Sequence, residues 1–362
     1  MLGIGNTKMN NKLGFDFISM EDILEAECCD FDEVISTIEQ SLLNYKKGNI
    51  LLPDKISQIF DSKIQNRINC MPSTLLKEKI CGVKWVSVFP ENPHKFEVPN
   101  VSGIIILSEI EKGFPIAVMD GTLITALRTA CMGAIGAKYL AKKESKVYGT
   151  IGTGEQARVH FMAIKHMFPA INLCYVASRT QKSEYDFIEL MRKNYPDVQF
   201  VSCNGDYELA SKKADIVVTA VSCQQPLLKA KAIKAGTYYC HVGGWEDEYG
   251  VPLKASKIVC DDWSSLKHRG SPTIARMYQQ GLLKDEDIYA NIADIIDGTL
   301  EGRIDESEIM YFNSIGLSFV DISVAYSFYK KVLKSGKGKK MSLIKNEIIT
   351  ALFQTISENK GL

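Results

Sequence analysis

The sequence predicts an α/β fold, in which a doubly wound parallel sheet is joined to a second, α+β region. Three observations carry this. From about residue 123 to residue 262, strand-like and helix-like stretches alternate, as they do when helical crossovers link parallel strands. The earlier part instead runs several strands in succession with no helix between them. Where the alternation begins, "VYGTIGTGEQARVH" (residues 147–160) reads as a short apolar strand, a glycine turn and a helix start.

Taken in order, residues 18–48 carry Ile23, Leu24, Val34, Ile35, Ile38, Leu42 and Leu43 at helical spacing and predict helix. The runs "QNRINCMP", "ICGVKWVSVFP", "SGIIILSE" and "KGFPIAVMD" predict strands of a mixed or antiparallel sheet. A long helix from about Leu123 precedes a strand at 146–151 and a helix at 156–167. "INLCYVAS", a helix at 183–195, "VQFVS", a short helix and "ADIVVTAV" come next. "TYYCHVGG" and "SKIVCDD" are further strands, and "DISVAYSFYKKVL" returns to helix. The basic stretch "KSGKGKK" reads as solvated. This pattern gives two domains, residues 1–127 with 320–362 and residues 128–319, in which the last helix rejoins the first domain.

The 362 residues suffice for two cores, and 46% hydrophobic with 24% charged residues is ordinary for a globular chain. Lys plus Arg equals Asp plus Glu at 43 each, which gives no electrostatic reason to expect nucleic acid or an anionic membrane as partner. The ten cysteines form no C-x-x-C pair and no zinc spacing, so reduced thiols and no metal are expected. The first residues lack the apolar core of a signal peptide, and no run of about 18 apolar residues occurs. Together these place the chain in the cytoplasm.

In the glycine turn, Gly152 permits the tight bend, Gly154 lets backbone approach a pyrophosphate, and Ala157 allows close helix–strand packing. The free N–H groups at the helix start would hold the phosphates. The loop residues Thr153, Glu155 and Gln156 belong to the same cradle. An NAD-selective site usually places an acid at the end of the second strand. Here that strand ends in Ser178, Arg179 and Thr180, with Lys182 following. A guanidinium with hydroxyls suits a 2′-phosphate, so the cofactor is NAD(P), with NADP(H) favoured over NAD(H). Thr219, Ala220 and Val221, ending a later strand, are expected to border it.

Two cations stand on apolar faces. Arg128 lies four residues after Ile124 and three before Cys131 on one helix face. Lys84 shares a strand face with Ile80, Val86 and Val88. A guanidinium buried without a partner is very costly. Either an internal acid, with Asp120 the natural candidate, or the carboxylate of a bound small molecule answers it.

Those residues carry a resemblance. "LRTACMGAIGAKYLA" followed by "VYGTIGTGEQAR", with "RINCMPS", "GVKWVSVFPENP" and "GRIDESEIMYFNSIGLSFVDISVAY", resembles the ornithine cyclodeaminase/mu-crystallin family over nearly the whole chain. "RINCMPS", "VSGIIILSE", "CDDWSS" and "DISVAYSFY" are most similar to its N-(2-amino-2-carboxyethyl)-L-glutamate dehydrogenase branch. The resemblance implies a Rossmann-type nucleotide domain and a homodimer whose first domain carries the substrate site and the dimer sheet. It assigns Arg128 and Lys84 to the substrate carboxylate and puts Arg67 and Met71 in the same pocket. It also sets Thr129, Ser314 and Gly316 at the cofactor. Cyclodeaminases of the family carry a catalytic Asp after "HVGG"; here Trp245 stands there, followed by Glu246 and Asp247. Ornithine cyclisation is thereby in doubt, and the base that activates water is open between those two acids, each of which could equally be a solvated loop residue. Lys84 could also polarise the reacting C–N bond. The expected activity is oxidation of an amino acid C–N bond. Ornithine cyclodeamination, reduction of a cyclic imino acid such as pyrroline-2-carboxylate, and a non-catalytic binding role are the alternatives.

Overall fold

The computed structural model describes residues 13–61, 63–344 and 348–359; the expectation for the first twelve residues lies outside them. The chain opens with β1 (Leu13–Ile18), α1 (Met20–Glu25), α2 (Phe31–Lys46), β2 (Ile50–Leu51), β3 (Ile56–Asp61), β4 (Asn66–Leu75) and β5 (Ile80–Val88). The single turn α3 (Asn92–Lys95), β6 (Val101–Glu109) and β7 (Pro115–Asp120) follow. The long α4 (Thr122–Leu140) leads into β8 (Val147–Ile151), α5 (Glu155–Met167), β9 (Leu173–Ala177), α6 (Gln181–Asn194), β10 (Gln199–Ser202), α7 (Tyr207–Lys212), β11 (Ile216–Thr219) and β12 (Gln224–Leu228). Next come β13 (Tyr238–His241), β14 (Trp245–Asp247), α8 (Gly250–Lys254), β15 (Lys257–Cys260), α9 (Trp263–Leu266), α10 (Thr273–Gln279), β16 (Ala290–Asn291), α11 (Ile292–Ile296) and β17 (Met310–Asn313). α12 (Ser318–Lys334), β18 (Lys339–Ile344) and α13 (Ile348–Asn359) close the described chain.

The helix expected over 18–48 is two helices. Ser19 caps α1 in a reciprocal box with Asp22, and the Asp30 side chain accepts the Glu33 N–H to start α2. Between them Glu27 takes a positive φ of 53°, which ends the first helix.

The first sheet has the order β18-β1-β7-β6-β5-β4-β2, with β3 also on β4. Only β1 and β7 run parallel in it. The basic stretch before residue 341 is not merely solvated, because Lys339 and Lys340 enter β18 and pair with β1. The second sheet, β10-β9-β8-β11-β13-β17-β15-β16, is parallel throughout. The chain runs outward from β8 through β9 to β10, then returns to place β11 on the other side of β8. This reversal makes the crevice at the carboxyl ends of β8 and β11 the place where such sheets bind ligands.

α4 connects the two sheets. Its buried residues run from Ile124 to Leu140, and it packs on α2 and α12 on one side and on α5 and β13 on the other. One continuous apolar cluster therefore extends from Ile18 in the first sheet to Phe312 in the second. The domain boundary expected at residues 127 and 128 lies within this unbroken helix. Among the described residues no helix is long and apolar enough to cross a membrane.

Candidate functional site

The two cations singled out by their apolar faces meet. Lys84 on β5 is buried, and its Nζ donates to Asp321 Oδ1 at 2.7 Å and to Thr125 Oγ1 at 3.3 Å. Arg128 on α4 donates through Nε to the same oxygen, also at 2.7 Å. The internal acid is thus Asp321 of α12, not Asp120, whose carboxylate is spent on the backbone N–H groups of Thr122 and Leu123. Asp321 was legible by the reasoning that finds Arg128, since it shares a helical face with the buried Val324, Ala325 and Phe328. Two cations answer one carboxylate, so the cluster keeps a positive charge, and Asp321 Oδ2 is buried without a partner. Burial first, then the Arg128 charge, lowers the Lys84 ammonium to about 8 against the opposing pull of Asp321.

The loop between β17 and α12 closes over this cluster. Ser314 Oγ and the Ile315 and Gly316 N–H groups all donate to Asp261 Oδ2, at 3.1, 2.9 and 3.0 Å. Burial raises the Asp261 carboxyl to about 6, although those donors favour its charge. Gly316 has φ 77°, and a Cβ there would sit 2.7 and 2.9 Å from the two Arg128 Nη atoms. A glycine is needed to leave the guanidinium face open. Gly316 therefore lies against Arg128, and Ser314 is committed to Asp261. Both had been expected at the cofactor. Met71 on β4 lies directly across from Lys84 on β5 and is buried. Arg67, four residues earlier on the same face of β4, donates to the Gln65 carbonyl. Thr129 Oγ1 is used within α4, on the Thr125 carbonyl at 2.6 Å.

The glycine loop fits a dinucleotide. Gly152 has φ 111°, and a Cβ there would lie 2.5 Å from the Ala220 carbonyl oxygen, so the loops after β8 and β11 touch backbone to backbone. α5 starts at Gly154 with no side chain capping its N–H groups, and Gln156 Oε1 is buried without a partner. These are free polar groups of the kind a pyrophosphate and ribose complete. Glu155 is exposed at the first turn of α5. Thr153 Oγ1 bonds Ser178 Oγ at 3.2 Å, joining the loop to the end of β9. The acid nearest that strand end is Glu184, which sequence reading passed over. It is buried and accepts from the Ser178, Asn204 and Gly205 N–H groups and from Ser202 Oγ. All its capacity is spent inside the protein, so it offers nothing to a ribose. Of the residues expected around a 2′-phosphate, Arg179 is exposed. Thr180 caps α6, and Lys182 pairs with Asp186 at 2.7 Å.

Glu246 and Asp247 are not solvated loop residues. Both sit on β14 and are fully buried. As strand neighbours they point to opposite sides. Glu246 accepts from Thr219 Oγ1 at 2.7 Å, Val221 N–H at 2.7 Å and Gly243 N–H at 2.8 Å, which occupies both oxygens. It clamps the glycine pair after β13 to the end of β11, and that corrects its expected place as a water-activating base. Asp247 Oδ1 takes His241 Nδ1 at 2.8 Å and Thr273 Oγ1 at 2.6 Å, while its Oδ2 is buried without a partner. Burial disfavours the imidazolium of His241, yet Asp247 above all, and then Glu246, raise it to about 8. Among the described residues no hydrogen bond joins either acid to Lys84, Arg128 or Asp321.

Residues 16–336 match the ornithine cyclodeaminase/mu-crystallin family. The N-((2S)-2-amino-2-carboxyethyl)-L-glutamate dehydrogenase of Staphylococcus aureus is 30% identical over 281 residues, covering 77% of this chain and 83% of that one. The Delta(1)-pyrroline-2-carboxylate reductase of Thermococcus litoralis, solved with NADH and L-proline, superposes with a TM-score of 0.84 at 29% identity, over 90% of this chain and all of that one. An archaeal alanine dehydrogenase dimer with bound NAD superposes at 0.83 with 30% identity, over 92% of this chain and all of that one.

Proposed function

The chain belongs to the ornithine cyclodeaminase/mu-crystallin family and is an NAD(P)-dependent oxidoreductase; from that premise we propose that it oxidatively cleaves N-((2S)-2-amino-2-carboxyethyl)-L-glutamate to 2,3-diaminopropionate and 2-oxoglutarate. The observation that carries the reading is the charge count at the anchor. Lys84 and Arg128 share one carboxylate oxygen of Asp321, so one positive charge is left for an amino acid's acid group. Asp321 holds both cations in place and keeps the empty cluster from being an unanswered pair of like charges.

A nicotinamide nucleotide held by the Gly152–Gly154 loop and the N-terminus of α5 would supply the acceptor for a hydride from the carbon that carries the amine. Arg128 and Lys84 fix the adjacent carboxylate, which orients that carbon. Loss of hydride leaves a carbon–nitrogen double bond; water adds to it, the amine leaves with the proton, and the two products separate. Lys84, titrating near 8, is suited to hand a proton to the departing nitrogen. Trp245 in place of the cyclodeaminase Asp, with Glu246 spent on the protein backbone, weighs against ornithine cyclisation. The similarity to the S. aureus enzyme supports the named substrate.

A homodimer is supported by the outer face of the first sheet. Phe17, Trp85 and Ile104 are exposed there, with Trp85 directly across from Ile104. An apolar row of this kind is what a partner subunit covers.

The test follows NAD(P)H absorbance with a panel of compounds. The aminocarboxyethyl-glutamate is expected to reduce the cofactor and release 2-oxoglutarate, with little response to L-alanine or L-ornithine, or to pyrroline-2-carboxylate with NADPH. Turnover of one of those three instead would replace the proposed substrate. Silence throughout would favour a binding role.

NADP(H) is proposed as the preferred cofactor, because Arg179 is exposed at the end of β9 while Glu184 is withdrawn. Arg179→Ala is expected to weaken NADPH by about 10- to 100-fold, the worth of one charge-assisted contact, and NADH by much less. Fluorescence titration of both nucleotides checks this, and unchanged selectivity would contradict it.

A further inference from the structure

The anchor adjoins a second group of cations that the reaction at the α-carbon does not use. A narrow cleft, open to solvent, lies beside it, and among its lining residues are Lys55, Met71, Arg269 and Gly316. Met71 faces Lys84 across the strands, and Gly316 touches Arg128, so the cleft and the anchor share a wall. Lys55 and Arg269 come from distant parts of the chain, the approach to β3 and the segment after α9, and both are half-buried. Among the described residues neither has an ion pair or a side-chain hydrogen bond, and Arg269 Nε is buried without a partner.

The acids near Arg269 are Asp54, Asp261 and Asp262. Two of them are committed elsewhere. Asp261 holds the 314–316 loop, and Asp262 caps α9 and bonds Ser264. Asp54 is exposed at the cleft. Lys55 responds accordingly. Desolvation first, then the charges of Arg269, Arg67 and Lys84, pull its ammonium down to about 7. Five cations thus converge, Lys55, Arg67, Lys84, Arg128 and Arg269, against the buried acids Asp321, Asp261 and Asp262 and the exposed Asp54, which leaves the cations in excess by one. Arg269 and Lys55 have no ion pair of their own within that group, so the positive excess is available to an anion in the cleft.

We propose that Lys55 and Arg269 form a second carboxylate subsite, which selects substrates bearing a further acid group on the arm beyond the reacting carbon. This rests on the reading of Lys84 and Arg128 as the first carboxylate anchor. A glutamate-type arm, or the dicarboxylate product 2-oxoglutarate, has the required chemistry. The fork of Arg269 is suited to bind it through two donors and the Lys55 ammonium as a point charge.

Calorimetry on the intact protein with saturating NADH tests this with two probes, 2-oxoglutarate and the monoacid 2-oxobutanoate. The wild-type protein is expected to bind 2-oxoglutarate at least 10-fold more tightly. In Lys55→Met and Arg269→Met that preference collapses, and Lys55→Arg restores much of it. Lys55→Met is further expected to melt at or above the wild-type temperature, because it removes an unanswered charge. Equal loss of both probes, or an unchanged preference, overturns the subsite. If the preference collapses in the Met variants while aminocarboxyethyl-glutamate is not turned over, the subsite stands and the named substrate falls. If that substrate is turned over with the same KM by the Met variants, the substrate stands and the subsite falls.

Discussion

Arg128→Ala is expected to reduce kcat/KM by about 100- to 1,000-fold, the equivalent of ~3–4 kcal/mol for a desolvated charge contact. The affinity for NADH should stay near that of the wild-type protein. The glycine loop and the β11 end that cradle the nucleotide are held by their own contacts, Thr153 to Ser178 and Glu246 to Val221, neither of which involves Arg128. Stability should change little, because Lys84 and Asp321 remain as a matched pair at 2.7 Å once the guanidinium is gone. Steady-state kinetics with a parallel NADH titration reads all three. A matching loss of nucleotide affinity and of melting temperature would make Arg128 a structural residue and remove the carboxylate anchor.

Asp321→Ala is expected to do the reverse. It leaves Lys84 and Arg128 buried together with no acid between them. Breaking a buried ion pair from one side costs about 3–5 kcal/mol, because the remaining charge loses its compensation. Here two charges lose it at once. For a chain of this length that corresponds to a fall in Tm of roughly 4–7 °C. The contrast between the variants is the informative quantity. Removing the surplus cation should cost activity and spare the fold, whereas removing the shared anion should cost the fold. Equal melting temperatures for the two variants would show that the charge count read from the anchor is wrong.

Much of the architecture was legible because it rests on local rules. The strand–glycine–helix pattern at 147–160 predicts β8 and α5, and the alternation after it predicts the parallel sheet. The apolar faces on which Lys84 and Arg128 stand follow from spacing alone; that Lys84 is buried, not an edge-strand lysine reaching to water, is shown by the structure. The break between α1 and α2 was missed because apolar periodicity continues across Ala26–Asp30, while the capping role of Asp30 interrupts the backbone. Asp321 went unnamed although its own helix face betrays it, because its partners lie 193 and 237 residues away. The sequence leaves Glu246 and Asp247 open between a water-activating base and solvated loop acids, because β14 is three residues long and carries no periodic signal.

By itself the sequence determined which side chains are apolar on which face, where the helices start, and where a glycine is required. Those properties depend on neighbours a few residues apart, within reach of backbone geometry. Which acid answers Lys84 and Arg128, whether Glu246 is free or spent, and that Lys55 and Arg269 stand beside the same cleft were decided only by the tertiary structure. A charge interacts through space, and the packing of α12 on α4 and β5, not the order of residues, sets which charges come within 3 Å.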